Sequence, residues 1–346
     1  MIYNNLGNTD IKVSLICLGT MTWGEQNSEK EGFEQMDCAL DYGINFFDTA
    51  ELYSVPPNKE TFGNTETIIG NWFTERKNRQ KVVLATKVVG RSGMKWFRGK
   101  ETRINKEQVV KAVDGSLKRL NTDYIDLYQV HWPDRKANFF GKLGYEHQEE
   151  DDFIELKYQL ECLNDFVKQG KIRYVGLSNE TPWGLMKFLN LAEKYNLPRV
   201  VSVQNPYSLL NRSYEVGMAE ISIRENCGLL AYSPLAFGML TGKYDDGKKP
   251  NRARLTIYEN IYTRYTKLKG IEYAKKFNQL AIENSLTPTQ MALAYVNSRP
   301  FLTSNIIGAT TIVQLKENIE SIKIDLKEEV LKKIESIHNE HPYPCP

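Results

Sequence analysis

The chain has 346 residues, enough for two ordinary domains or for one large α/β barrel. Hydrophobic residues make up 41%, which suffices for a sizeable core, and 45 Lys+Arg nearly balance 43 Asp+Glu. The net charge of +2, with no block of one sign, gives no electrostatic footprint for nucleic acid or an anionic membrane, so neither is an expected partner.

The opening "MIYNNLGNTD" lacks the basic and apolar regions of a secretion signal, and no apolar run is long enough to span a bilayer. Five scattered cysteines, with no C-x-x-C, fit a reduced, cytoplasmic protein. Strand-like runs then follow one another: "VSLICLGT" (13–20), "NFFDTA" (45–50), "KVVLATKV" (81–88) and "YIDLYQVHW" (124–132). The series continues with "IRYVGLSN" (172–179), "VVSVQNPY" (200–207), "GLLAYSPLA" (228–236) and "SNIIGAT" (304–310). Several are almost continuously apolar, as expected of parallel strands covered on both faces. Between them lie helical patterns with recognisable starts. "NKEQVVKAVDGSLKRLN" opens on Asn105 as N-cap with Gln108 three residues on. "TPWGLMKFL" and "TPTQMALAYV" each place Pro in the first turn after a Thr cap.

Eight βα units predict a single-domain (β/α)₈ TIM barrel, since each right-handed crossover brings the next strand in parallel. A dinucleotide-binding doubly wound sheet is the rival, but no two glycines stand two apart, so G-x-G-x-x-G is absent. Two insertions break the rhythm, 133–152 after the fourth strand and about 240–286 after the seventh.

Active sites of such barrels lie at the C-terminal strand ends. Those ends carry Asp48 and Tyr53, then Lys87, His131, Ser178 with Asn179, Gln204, and Tyr232 with Ser233. Read in order, "FDTAELY", "LATKV", "LYQVHWPD", "YVGLSN", "AYSPL" and "IIGATTIVQLKENI" resemble the signature of the aldo-keto reductase superfamily. The resemblance runs from "LICLGTMTWG" to the final helices. "VPPNKETFGNTETIIGNW", "FGKLGY" and "QNPYSLLNRS" are further similar to its bacterial Tas-like branch.

The resemblance implies NADPH-dependent reduction of a small carbonyl compound, with Asp48, Tyr53, Lys87 and His131 as catalytic residues. The chemistry is coherent. A phenol of pKa near ~10 is a poor acid at neutral pH unless its anion is stabilised, and a nearby ammonium does that. Lys87 is the candidate cation, Asp48 its holder, and His131 the group that orients the carbonyl toward Tyr53. In the family, positions matching Ser178, Asn179 and Gln204 bind the nicotinamide carboxamide, and that of Tyr232 stacks on its ring. Thr22, Trp23, Ser233, Pro234, Leu235 and Gly238 join the cofactor groove by the same resemblance.

Without a Gly-rich loop the phosphates need another seat, and barrels often provide one at a helix N-terminus after the last strands. "GATTIVQLKENIES" begins a helix there, with Thr311 and Gln314 also spaced as a capping box. By resemblance Gly308, Thr310, Gln314, Glu317 and Asn318 contact the adenosine end. Many family members carry a basic residue where Gln314 stands, so Lys243 and Arg254 are the candidates for the 2′-phosphate, with Arg252 close enough to compete. Met21, Trp23, Trp132 and Tyr207 are expected to line a substrate pocket better suited to an aldehyde, ketone or quinone than to a highly charged acid. His338, His341 and Cys345 have metal-like spacing, but a proline-rich terminus and no fourth ligand predict no metal. Two other readings are a nicotinamide-sensing subunit, as in the family's ion-channel partners, and a Schiff-base aldolase built on Lys87.

Overall fold

The computed structural model describes residues 1–346. A two-stranded antiparallel ribbon, β1 (Tyr3–Asn5) and β2 (Lys12–Ser14), precedes a closed parallel barrel. The barrel strands are β3 (Ile16–Gly19), β4 (Phe46–Asp48), β5 (Val83–Val88), β6 (Ile125–Val130), β7 (Ile172–Ser178), β8 (Val200–Pro206), β9 (Gly228–Tyr232) and β10 (Leu302–Ile307). They neighbour one another in chain order, and β10 closes against β3 with Asn305 opposite Ile16. This is the (β/α)₈ barrel of a single domain. No helix is long and apolar enough to cross a membrane.

One expected run was two. The segment 13–20 divides at Leu15: Lys12–Ser14 pairs with the N-terminal strand, and only Ile16–Gly19 enters the barrel. The Leu15 amide turns away to the carbonyl of Ile2, which ends the barrel register there.

Strand alternation builds the site. On β4, Phe47 points outward against Trp72 (ring centroids 5.7 Å apart), while Phe46 joins the small cluster inside the barrel. Asp48 therefore faces inward, two residues above Phe46. Ala85 and Leu127 share that inner cluster, so Lys87 and Gln129, two residues further along β5 and β6, face inward as well. The interior is thus apolar below and polar above. Outside it, one large cluster fills the space between strands and helices.

Helix starts follow the sequence with small corrections. Asn105, Thr181 and Thr287 each accept a backbone N–H three residues on, and Gln290 completes a capping box. Thr311 likewise caps the helix Ile312–Glu320, but the Gln314 side chain reaches the Thr310 amide instead of that of Thr311. The segment 240–286 is not all insertion. It contains a short helix, Arg254–Ile257, and a 16-residue one, Leu268–Glu283. The segment 133–152 has neither helix nor strand and is pinned by Asp134, which accepts from Arg103 at 2.9 Å and from the amides of Ile104 and Ile154.

Candidate active site

A cleft of about 1050 Å³ opens at the C-terminal ends of the barrel strands. At its floor Lys87 is fully buried. Its ammonium donates to Asp48 Oδ2 at 2.7 Å and to the Thr49 carbonyl at 2.7 Å, and it stands 3.5 Å from the Tyr53 hydroxyl. An ammonium has three protons, so this set accounts for all of them. Burial alone would lower the Lys87 pKa, but Asp48 and Tyr53 outweigh it and hold the ammonium above its ordinary value. The other Asp48 oxygen accepts from Gln204 at 2.7 Å and from Gln129 at 3.3 Å.

Tyr53 departs from the expectation of a depressed phenol. Burial raises its pKa above the ordinary value, and the downward pull of Lys87 does not overcome that, since Asp48 opposes it. The ammonium is already shared with a carboxylate, which weakens its field at the phenol. His131 stands edge-on to Tyr53, ring centroids 5.8 Å apart. Burial, then the Lys87 charge, push its pKa well below 6.5, so the imidazole is neutral at pH 7. Its Nδ1 is buried without a partner.

The strand-end amides interlock. Ser178 Oγ donates to the Gln204 carbonyl at 2.8 Å, Asn179 Nδ2 to the His131 carbonyl at 2.9 Å, and the Tyr232 hydroxyl to Asn179 Oδ1 at 2.7 Å. Asn179 and Ser233 both adopt left-handed backbone, with φ of 53° and 56°, which bends each strand end into the rim. Gln204 Oε1 and Ser178 Oγ retain acceptor capacity toward the cleft.

Further out, the cleft is lined by Thr22, Ser233, Pro234, Leu235 and Gly238, and by Lys243 and Arg254. It ends at Gly308, Thr310, Gln314, Glu317 and Asn318 at the N-terminus of the last barrel helix. Lys243 and Arg254 form no ion pair. Burial and their mutual repulsion lower the Lys243 pKa, and burial lowers that of Arg254, whose guanidinium lies 5.2 Å from the centre of the Phe237 ring. Two desolvated cations without a carboxylate suit a ligand phosphate. Arg252 is engaged elsewhere: its guanidinium is 3.1 Å from Glu31, and its carbonyl accepts from the Gln26 amide, joining the two lips of the cleft. A dinucleotide fits this donor set, with amide acceptors at one end, unpaired cations between, and a helix N-terminus at the other.

Two expected lining residues lie elsewhere. Trp23 is fully buried in the outer core, its indole donating to Gln35 Oε1 at 3.3 Å. Tyr207 is also buried there, between Tyr295 and Phe301, with its hydroxyl on Glu215. Both rings turn into the layer between strand and helix, where they are fully buried. Met21 and Trp132 do line the cleft. Three contributors went unnoticed in the sequence. Gln129 could have been found, because the alternation that turns His131 inward turns it inward too. Glu51, between Asp48 and Tyr53, takes Arg98 on both oxygens (2.8 and 3.1 Å) and fixes the Tyr53 segment to the next loop. Arg264, which also lines the cleft, sits in a stretch with no periodicity to place it.

The family model described as "Aldo/keto reductase family" matches residues 15–339. The chain is 48% identical over 348 residues to "Protein tas" of Escherichia coli (strain K12), covering 100% of both chains. It is 36% identical to the "Uncharacterized oxidoreductase YrpG" of Bacillus subtilis (strain 168), over 97% of this chain and 96% of that one. A Schizosaccharomyces pombe protein described as a candidate voltage-gated potassium channel subunit beta is 30% identical, over 97% of this chain and 93% of its own.

Proposed function

The chain belongs to the aldo/keto reductase family, and we propose that it reduces an aldehyde, ketone or quinone to the alcohol with NADPH, Tyr53 delivering the proton. Membership makes it an oxidoreductase of carbonyl chemistry, in a family that uses NAD(P)H. One observation carries the finer reading. The Lys87 protons are directed to Asp48, Thr49 and Tyr53, so the Tyr53 oxygen accepts from Lys87 and keeps its own proton for the cleft.

The bound dinucleotide supplies the hydride. Everything else falls to the chain. His131, neutral and edge-on to Tyr53, holds the carbonyl oxygen beside the phenol. As negative charge grows on that oxygen, Tyr53 transfers its proton, and Lys87 stabilises the phenolate left behind. Asp48, held by Gln204 and Gln129, keeps Lys87 charged and in place. Gln204, Asn179 and Ser178 take the nicotinamide amide, with Tyr232 against the ring. Lys243 and Arg254 take the 2′-phosphate, and the helix starting at Ile312 takes the adenosine end. Met21 and Trp132 line the substrate side.

The experiment is a screen of NADPH oxidation against aldehydes, ketones and quinones, with NADH in parallel. Turnover with at least one carbonyl, faster with NADPH, is the expected result. Tight NADPH binding with no turnover on any of them would favour the second reading, a nicotinamide-sensing subunit, for which the 30% identity to the channel-subunit relative is the supporting observation.

A further inference from the structure

Glu51 is a buried carboxylate between Asp48 and Tyr53 that does not line the cleft. Its amide donates to the Lys87 carbonyl at 3.3 Å, and its carboxylate accepts from the Val89 amide at 2.8 Å. Backbone and side chain thus clamp it to the strand end that carries Lys87. The Tyr53 amide donates to the Ala50 carbonyl at 3.1 Å, so Glu51 lies inside the tight turn that delivers Tyr53. The Tyr53 hydroxyl has one hydrogen-bond partner, Lys87, at 3.5 Å. That is the outer limit of a hydrogen bond, so a small drift of the turn would break it.

The other side of the clamp is Arg98, whose buried guanidinium meets both Glu51 oxygens, at 2.8 and 3.1 Å. Arg98 is itself held. Its Nε donates to Gln108 Oε1 at 3.3 Å, on the helix Lys106–Arg119. Its loop is closed at the neck by mutual backbone bonds between Ser92 and Thr102, and its charged end lies 5.5 Å from the centre of the Phe97 ring. Phe97 belongs to an apolar cluster with Leu52, Val89 and Trp132, against which the Tyr53 ring packs. A buried ion pair gains little stability over an apolar pair of similar volume, because desolvating two charges offsets their attraction. What the two-pronged contact does supply is direction.

We propose that Glu51 and Arg98 are positioning residues for the reduction: together they fix the turn Ala50–Tyr53 so that the Tyr53 hydroxyl stays within reach of the Lys87 ammonium. This rests on the reductase reading above, in which Tyr53 delivers the proton. Neither residue touches cofactor or substrate; both act through the place they give the phenol.

A double variant separates stability from placement. Glu51→Leu with Arg98→Met removes both charges and strands neither, so its urea midpoint should stay near the native value. Single-turnover NADPH oxidation, with the best carbonyl of the screen, should nevertheless be about tenfold to hundredfold slower, the cost of misplacing a reacting group by about 1 Å. Kd for NADPH and KM for the carbonyl should not move. Arg98→Lys keeps the charge without the fork, and its rate should fall between native and double variant at native stability. A native rate in the double variant would overturn the proposal, as would a loss that appears only in Kd or KM. A rate that tracks the urea midpoint across the two variants would overturn it too, since the pair would then be merely structural. If the native protein reduces no carbonyl, the reductase reading fails, but a crystal structure of the double variant still decides the placement. A Tyr53 hydroxyl beyond hydrogen-bonding distance of Lys87 supports it, and an unchanged separation sinks it.

Discussion

Tyr53 and His131 are both moved by burial, in opposite directions, and the two shifts fix the pH behaviour. With its phenol above pKa 10, Tyr53 stays protonated, so the reductive rate should show no basic limb until the pH rises past about 10. A limb near neutrality in a pH–kcat/KM profile would remove Tyr53 as the acid. His131 sits well below 6.5, so the unfolded chain takes up a proton near that pH which the folded chain refuses. Stability should fall as the pH drops below 6.5 and be unaffected by this group above it, which urea midpoints across pH 5–8 would record. Tyr53→Phe removes one oxygen and keeps the ring. Dinucleotide binding should survive while reduction falls by about 10²–10⁴. Unchanged turnover would leave the phenol without that role.

At the scale of elements, close packing reverses an ordinary rule. Gly70 lies inside the helix Asn64–Arg76, and a Cβ there would fall 2.2 Å from the Arg119 carbonyl oxygen. Ala in a free helix gains about 1 kcal/mol over Gly, yet Gly70→Ala should lose about 1–3 kcal/mol, read as a lower urea midpoint with the slope unchanged. The segment 250–257 carries a second test. Arg254→Ala should weaken NADPH by about 1.5–3 kcal/mol and leave NADH nearly unchanged. If Arg252→Ala alone does so, the phosphate reader is the residue now tied to Glu31. What the sequence disclosed follows the same division. Short, almost continuously apolar runs and Thr-Pro caps announce strands and helices because those signals are local. Trp23 and Tyr207 misled because an aromatic ring near a strand end reads alike whether it turns toward the rim or into the strand–helix layer. Arg264 was silent because the stretch around it has no repeat to set its direction.

The whole molecule is one closed sheet, and ligand binding should register in its overall stability. At NADPH a hundredfold above its Kd, unfolding should become harder by about 2.7 kcal/mol, with a smaller gain from NADH at equal concentration. Identical shifts of the thermal midpoint would argue against a 2′-phosphate site. The barrel order was legible as a whole because eight strand-like runs follow one another and six of them end in polar residues, and one rim is the only place where parallel strands can bring those ends together. Beneath that rim the interior is sealed by Leu6, Val13, Phe46, Leu127 and Leu230, all with no exposed surface. A proton spent by Tyr53 therefore cannot be replaced from below. It must return by the door through which substrate enters and product leaves, so replenishment waits on an unblocked cleft. Proton traffic and substrate traffic share one lane.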